Sequence, residues 1–209
     1  MKNRKVYMYV FDTMSDWEVG YLTAELNTGR YFKRGLEPLK VITVGIDKNP
    51  IMTMGGLKVI PDISIEECNI ESKDVLILPG GDTWASSIHE IILEKAKEAL
   101  IQGSIVAAIC GATLGLAKKG ILDFRNHTSN DLEFIKMVIP NYSGEKYYKM
   151  EAVVNDENLV TASGIAPLEF TFQVLKILQV FKSESLNSWL NLYKTYDSKY
   201  FFELMNCKK

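Results

Sequence analysis

The chain alternates short, continuous apolar runs with longer segments in which apolar positions recur every three or four residues. Brief apolar runs bounded by turn signals read as strands buried on both faces, and the periodic segments as helices packed over them. Val6–Phe11 is the first such run. A helix is predicted after it over Ser15–Asn27, with Ser15 and Glu18 in capping-box spacing and Gly29 just past its end. Leu39–Val44 predicts a second strand, and Ile51–Ile60, broken by Gly55-Gly56, a small antiparallel excursion. Val75–Leu78 predicts a central parallel strand cut short by Pro79-Gly80-Gly81, followed by an amphipathic helix over Ser87–Gln102 stopped by Gly103. Ile105–Ile109 predicts another buried strand, running straight into Cys110-Gly111-Ala112 and a short helix over Ala112–Lys119. Further on come a short strand at His127–Ser129, a helix over Asp131–Val138 and a hairpin-like pair from Met150–Val154 and Leu159–Ala162. A long apolar helix over Ala166–Phe181 completes the pattern.

Strand and helix in alternation are the signature of βαβ units, so the fold class expected is α/β, a doubly wound and mostly parallel sheet sandwiched by helices. No repeat and no Pro/Gly/Ser-rich linker divides the chain, and a single domain is expected over residues 1–182. Residues 183–209 differ in kind. Trp189, Tyr193, Tyr196, Tyr200, Phe201 and Phe202 make this tail heavily aromatic, and it is expected as one or two short helices covering apolar surface on the domain or on a partner subunit.

Composition narrows the function classes. A net charge of -2 gives no electrostatic reason to expect nucleic acid or an anionic membrane as partner. No apolar run reaches the length of a membrane span, and Val6–Phe11 is too short and tyrosine-rich for a signal-peptide core, which leaves the cytoplasm as the default location. The three cysteines, Cys68, Cys110 and Cys207, have no metal-ligand spacing and are expected as free thiols, with no metal and no cofactor implied. Cys68 and Cys207 carry no signal of a site.

Cys110 stands between a buried strand and a helix start made of small residues. A thiol at such an elbow projects at the carboxyl end of the sheet, where open α/β sheets bind their ligands. The helix N-terminus favours thiolate and is expected to lower the thiol pKa. A buried, inert cysteine is the equal alternative on local sequence alone. Gly81 can present an N–H outward, and with Gly111 could form a two-donor oxyanion hole. Glu18 is accounted for by its capping-box position, but the first helix also opens towards the carboxyl end of the sheet, where a carboxyl could stand beside the sulfur.

Taken in order, these pieces resemble the ThiJ/PfpI family of the class I glutamine-amidotransferase-like superfamily. Tyr9-Val10-Phe11 leads to Trp17-Glu18, then Leu78-Pro79-Gly80-Gly81, then Ala108-Ile109-Cys110-Gly111. Gly120-Ile121-Leu122, Thr128-Ser129, Thr161-Ala162-Ser163-Gly164 and Glu169-Phe170 follow. The resemblance runs from about Val6 to Phe181 and implies a flavodoxin-like fold and a homodimer. It also implies Cys110 as reactive cysteine, Glu18 as its proton partner, and Gly81 with Gly111 as oxyanion donors. The departures concern bases. Gly111 and Asn130 stand where subsets of the family carry histidine, and Pro167-Leu168-Glu169 lacks the amidotransferase histidine, so glutaminase activity is not expected. His127 and Asn130 lie an odd number of residues apart, so on a strand they point to opposite faces, and His127 faces the pocket only through a bulge. His89 is expected at the surface, and Asp82 and Trp84 as candidate pocket walls.

The reading preferred is a cysteine-dependent hydrolase or lyase of small carbonyl or amide compounds, using Cys110 and Glu18. Two others compete: a redox or stress-response protein with an oxidisable Cys110, and a non-catalytic dimeric module that binds through its aromatic tail.

Overall fold

The computed structural model describes residues 4–206. Its centre is a seven-stranded sheet built from β1 (Val6–Tyr9), β2 (Val41–Gly45), β5 (Ile63–Ser64), β6 (Val75–Leu78), β7 (Ile105–Ile109), β8 (Val153–Asp156) and β9 (Leu159–Ala162). The spatial order is β5-β2-β1-β6-β7-β9-β8, and every pairing is parallel except β8 with β9. All residues of β1, β6, β7 and β9 are buried, which is why these segments read as unbroken apolar runs rather than alternating ones. A separate antiparallel pair, β3 (Ile51–Met52) and β4 (Lys58–Val59), forms the predicted excursion.

The helices are α1 (Asp16–Thr28), α2 (Glu90–Ile101), α3 (Ala112–Lys118), α4 (Leu132–Val138), α5 (Pro167–Leu178), α6 (Ser183–Thr195) and α7 (Ser198–Asn206). By the right-handed rule for parallel crossovers, the α1 connection between β1 and β2 and the α2 connection between β6 and β7 take opposite faces of the sheet, because the strand order runs outward in opposite directions from β1 and β6. α5 returns to pack against α1, and α6 packs on α5. α6 and α7 pair closely, with Trp189 and Leu204 fully buried against the rest of the chain. The tail is thus two helices docked on the domain's own surface. Cys207 lies outside the described residues. No helix among the described residues is long and apolar enough to cross a membrane.

The sequence pattern and the structure part company in four places. β5 is a two-residue edge strand beside β2, too short to register as a pattern. The segment read as one helix from Ser87 opens as a 3-10 turn, Ser87–His89, before α2 begins. The strand expected at His127–Ser129 is reduced to one parallel bridge between His127 and Tyr148. The first strand of the hairpin pair is shifted onto Val153–Asp156, so Asn155 and Asp156, expected in the loop, pair with Val160 and Leu159.

Candidate active site

β1 and β6 are adjacent, yet the chain leaves them in opposite directions, so their carboxyl ends flank the crevice where doubly wound sheets take ligands. Three segments meet there: the start of α1 after β1, Pro79-Gly80-Gly81 after β6, and Cys110-Gly111 after β7.

Cys110 is left-handed, with φ of 58°, a conformation that costs a non-glycine residue about 1–3 kcal/mol. The turn is held by its own N–H, which donates to the Ala162 carbonyl at 2.9 Å, and by its carbonyl, which accepts from the Thr113 hydroxyl and the Thr113 N–H. The strained backbone aims a half-buried thiol into the crevice rather than into the core.

Glu18 is buried at 1 % exposure in the first turn of α1. The capping-box account of it fails. Ser15 makes no side-chain cap, and its backbone ties this turn together, its N–H donating to the Gly80 carbonyl at 2.9 Å. The Glu18 carboxyl accepts the Gly80 N–H at 2.7 Å and stands beside the Cys110 thiol, the two groups crowding the positions a Cβ would take at Gly80 and Gly164. Gly80 is obligatory here, since a Cβ would lie 2.5 Å from a Glu18 oxygen and 2.7 Å from the Cys110 Cβ.

On the other side of the sulfur, Asn130 Nδ2 donates to Cys110 Sγ at 3.2 Å. Its Oδ1 accepts from the Gly164 N–H at 2.8 Å and from the Ser163 hydroxyl at 3.4 Å. Gly164 closes the box: a Cβ there would lie 2.7 Å from Sγ and 3.1 Å from Glu18 Oε1. The Gly111 N–H favours the sulfur's charged form, and the backbones of Gly81 and Gly111 abut, a Cβ on Gly111 meeting the Gly81 carbonyl at 2.7 Å.

The remaining expected residues fall elsewhere. Asp82 is exposed on the loop, where its N–H takes a 3.4 Å bond to the Thr13 hydroxyl. Trp84 is no pocket wall. It is fully buried behind the elbow, donating to the Pro79 carbonyl at 2.9 Å and lying where side chains on Gly111 and Gly115 would otherwise be. His127 turns away from the sulfur: Nδ1 bonds the Arg125 carbonyl and Nε2 the Tyr142 hydroxyl, each at 2.6 Å. His89, expected at the surface, is fully buried between the Tyr9 hydroxyl (3.0 Å) and the Thr83 hydroxyl (2.9 Å). Burial pushes it down to about 4, so it is neutral. With only two histidines in the chain, no imidazole is free to act on Cys110.

The electrostatics differ from the expectation drawn from the helix N-terminus. Burial comes first and pushes the Cys110 thiol up to about 11, with the Glu18 carboxylate adding in the same direction. Asn130 and the Gly111 N–H oppose it. Burial also raises Glu18, so the pair tends to keep a proton between its two members. Once that proton rests on Glu18, its charge no longer burdens the sulfur. Cys68 is a buried bystander whose thiol burial likewise pushes up to about 11. No cluster of three metal-binding side chains occurs among the described residues.

Comparison with known proteins decides the family. The model of the DJ-1/PfpI family matches residues 4–177. The chain belongs to the DJ-1/PfpI family. Among its family relatives is an uncharacterized protease, YoaZ, of Bacillus subtilis (strain 168), 60% identical over 206 residues, covering 99% of this chain and 98% of that one. The glutathione-independent glyoxalase DJR-1.2 of Caenorhabditis elegans is 26% identical over 157 residues, covering 73% of this chain and 79% of the relative. The crystal structure of a ThiJ/PfpI family protein from Bacillus anthracis superposes with a TM-score of 0.97 at 62% identity, covering 99% of this chain and 98% of that one.

Three groups of this site were named in the sequence without a role in it: the Gly80 N–H, Ser163 and Gly164. Gly164 lies in the Thr161-Ala162-Ser163-Gly164 stretch that carries the family resemblance, so the signal was present without a role attached.

Proposed function

We propose that this chain is a cysteine-dependent enzyme of small carbonyl compounds, with 2-oxoaldehydes as its substrate class. The observation that carries the reading is the buried Glu18 carboxyl set beside the Cys110 thiol at a left-handed elbow. The glyoxalase named among its relatives supports the substrate class. The absence of a free imidazole argues for chemistry that one carboxyl can serve alone.

The sequence of steps is one of addition and proton transfer. The Cys110 sulfur, as thiolate, adds to the aldehyde carbon; the C–S bond forms and the carbonyl π pair moves to oxygen, facing the N–H groups of Gly81 and Gly111. That oxygen takes the proton held by Glu18. The Glu18 carboxylate then removes the hydrogen left on the same carbon, and the electrons shift to the neighbouring ketone, which becomes an enediol. Return of a proton to the second carbon leaves a 2-hydroxy thioester on Cys110. Water attacks it, releasing the 2-hydroxy acid and the thiol, so that one water is consumed per aldehyde. Burial suits Glu18 to this double duty, because it keeps the carboxyl protonated closer to neutrality than an exposed glutamate.

The test is formation of 2-hydroxy acid from methylglyoxal without added glutathione. Cys110→Ser is expected to abolish it, and Glu18→Gln to lower kcat by about 10²–10⁴-fold, the usual worth of a general acid–base. Turnover by Cys110→Ser at the parent rate would sink the proposal.

A further inference from the structure

Glu18 occupies one side of the Cys110 sulfur, and Asn130 the other. The orientation of the Asn130 amide is fixed by its surroundings. Its Oδ1 accepts from the Gly164 N–H at 2.8 Å and the Ser163 hydroxyl at 3.4 Å, and a flipped amide would set two N–H donors against one another at Gly164. The end that faces Sγ at 3.2 Å is therefore the NH₂ group. An amide NH₂ donates and cannot accept a proton, so Asn130 does not replace the missing imidazole as a base.

We propose that Asn130 is a further catalytic residue of this site, a neutral donor locked by the Gly164 N–H and the Ser163 hydroxyl that stabilises the Cys110 sulfur as it becomes an anion for attack. The inference rests on the function proposed above only in taking the same sulfur as nucleophile. Two consequences separate this donor from a histidine in the same place. It keeps its hydrogen at every accessible pH, so it adds no titration of its own. Its hold on the sulfur also depends on residues 34 positions away in the chain, because Gly164 is what orients it. Glu18 is the titratable group facing the same sulfur, and the Gly111 N–H is the other donor. Both stay in place when Asn130 is changed.

The experiment is the pH dependence of Cys110 alkylation by iodoacetamide, read by peptide mass spectrometry so that other thiols do not contribute. Asn130→Asp keeps an oxygen for the Gly164 N–H but turns the donor into a negative charge beside the sulfur. It is expected to move the alkylation midpoint upward and to slow the rate at pH 7 by at least about tenfold, since a like charge at this range disfavours ionisation. Asn130→Ala removes the donor without adding charge and is expected to shift the midpoint in the same direction by less. Both are repeated with Glu18→Gln, where a single thiol titration remains. Thermal unfolding of each variant is followed alongside; should Asn130→Asp fail to fold, the alanine variant decides. Profiles that superimpose on the parent would overturn the inference, whatever the enzyme assay gives. Shifted profiles in a protein that turns over no aldehyde would instead leave Asn130 as the sulfur's donor and remove the proposed substrate class.

Discussion

Gly164 sets how much space the sulfur has. Its backbone passes so close that a Cβ would lie 2.7 Å from Sγ and 2.9 Å from the Cys110 Cβ, contacts that real Cβ atoms do not make. Its φ is not in the left-handed region, so alanine meets no backbone penalty there and the whole effect falls on the site. Gly164→Ala is expected to displace the thiol or Glu18, cutting both alkylation of Cys110 and any turnover by about tenfold or more while the unfolding temperature changes little; an unaltered alkylation rate would show that the box is looser than described. The roles at this scale were unevenly legible. Cys110 stood out because an apolar strand runs directly into it, and Glu18 because family order placed it. The contact between Asn130 and Gly164 spans 34 residues and two loops, and no local periodicity encodes such a meeting.

At the scale of elements, the segment after β6 shows what pattern reading misses. Ser87–Gln102 reads as one amphipathic helix, but its first three residues wind as a 3-10 turn, which rotates the faces. Ile88 and Ile91 are consequently about half exposed while His89 is fully buried, the reverse of what hydrophobicity predicts. The imidazole is retained because both its nitrogens are bonded, to Tyr9 and to Thr83, and because Phe11 and Trp84 pack around it. This has a consequence in pH. His89 titrates near 4 when folded and near its ordinary 6.5 when unfolded, so between these values the unfolded chain binds the extra proton. Stability is therefore present above pH 6.5 and lost as pH falls towards 4, by about 3 kcal/mol from this group. Urea midpoints measured from pH 7 to pH 4 should fall steeply in the parent, and His89→Gln should flatten that fall even if it is less stable at pH 7. An equal slope in both would place the acid sensitivity elsewhere. The strands, by contrast, were easy to read: β6 and β7 have the limits that their apolar runs predict, since burial on both faces leaves little room for any other pattern.

For the whole molecule, the question is whether the aromatic tail belongs to the domain or serves something outside it. Its composition alone suits either, because an apolar helix face looks the same whether its own chain or another covers it. The packing favours the first. Trp189 on α6 is fully buried against α1, stacking edge-on with Tyr21 and donating from Nε1 to Glu25 Oε1 at 3.0 Å. Glu25 is itself buried and ion-paired with Arg30, so the indole closes the coordination of a carboxylate that could not reach water. Leu204 on α7 is buried as well, tying the last helix to α6. α1 carries Glu18 on the turn next to Val19 and Leu22, so the tail also braces the helix that positions the site's carboxyl. Trp189→Ala removes a large buried ring and one partner of Glu25, and is expected to cost about 3–5 kcal/mol. Trp189→Phe keeps most of the volume and should cost less, isolating the hydrogen bond to Glu25. Urea unfolding of the two variants measures both terms. An unchanged midpoint in Trp189→Ala would mean that the tail is an appendage without structural weight. A large loss would make α6 part of the domain's core, and would account for Trp189 but not for Tyr196, Phe201 and Phe202, which stay exposed.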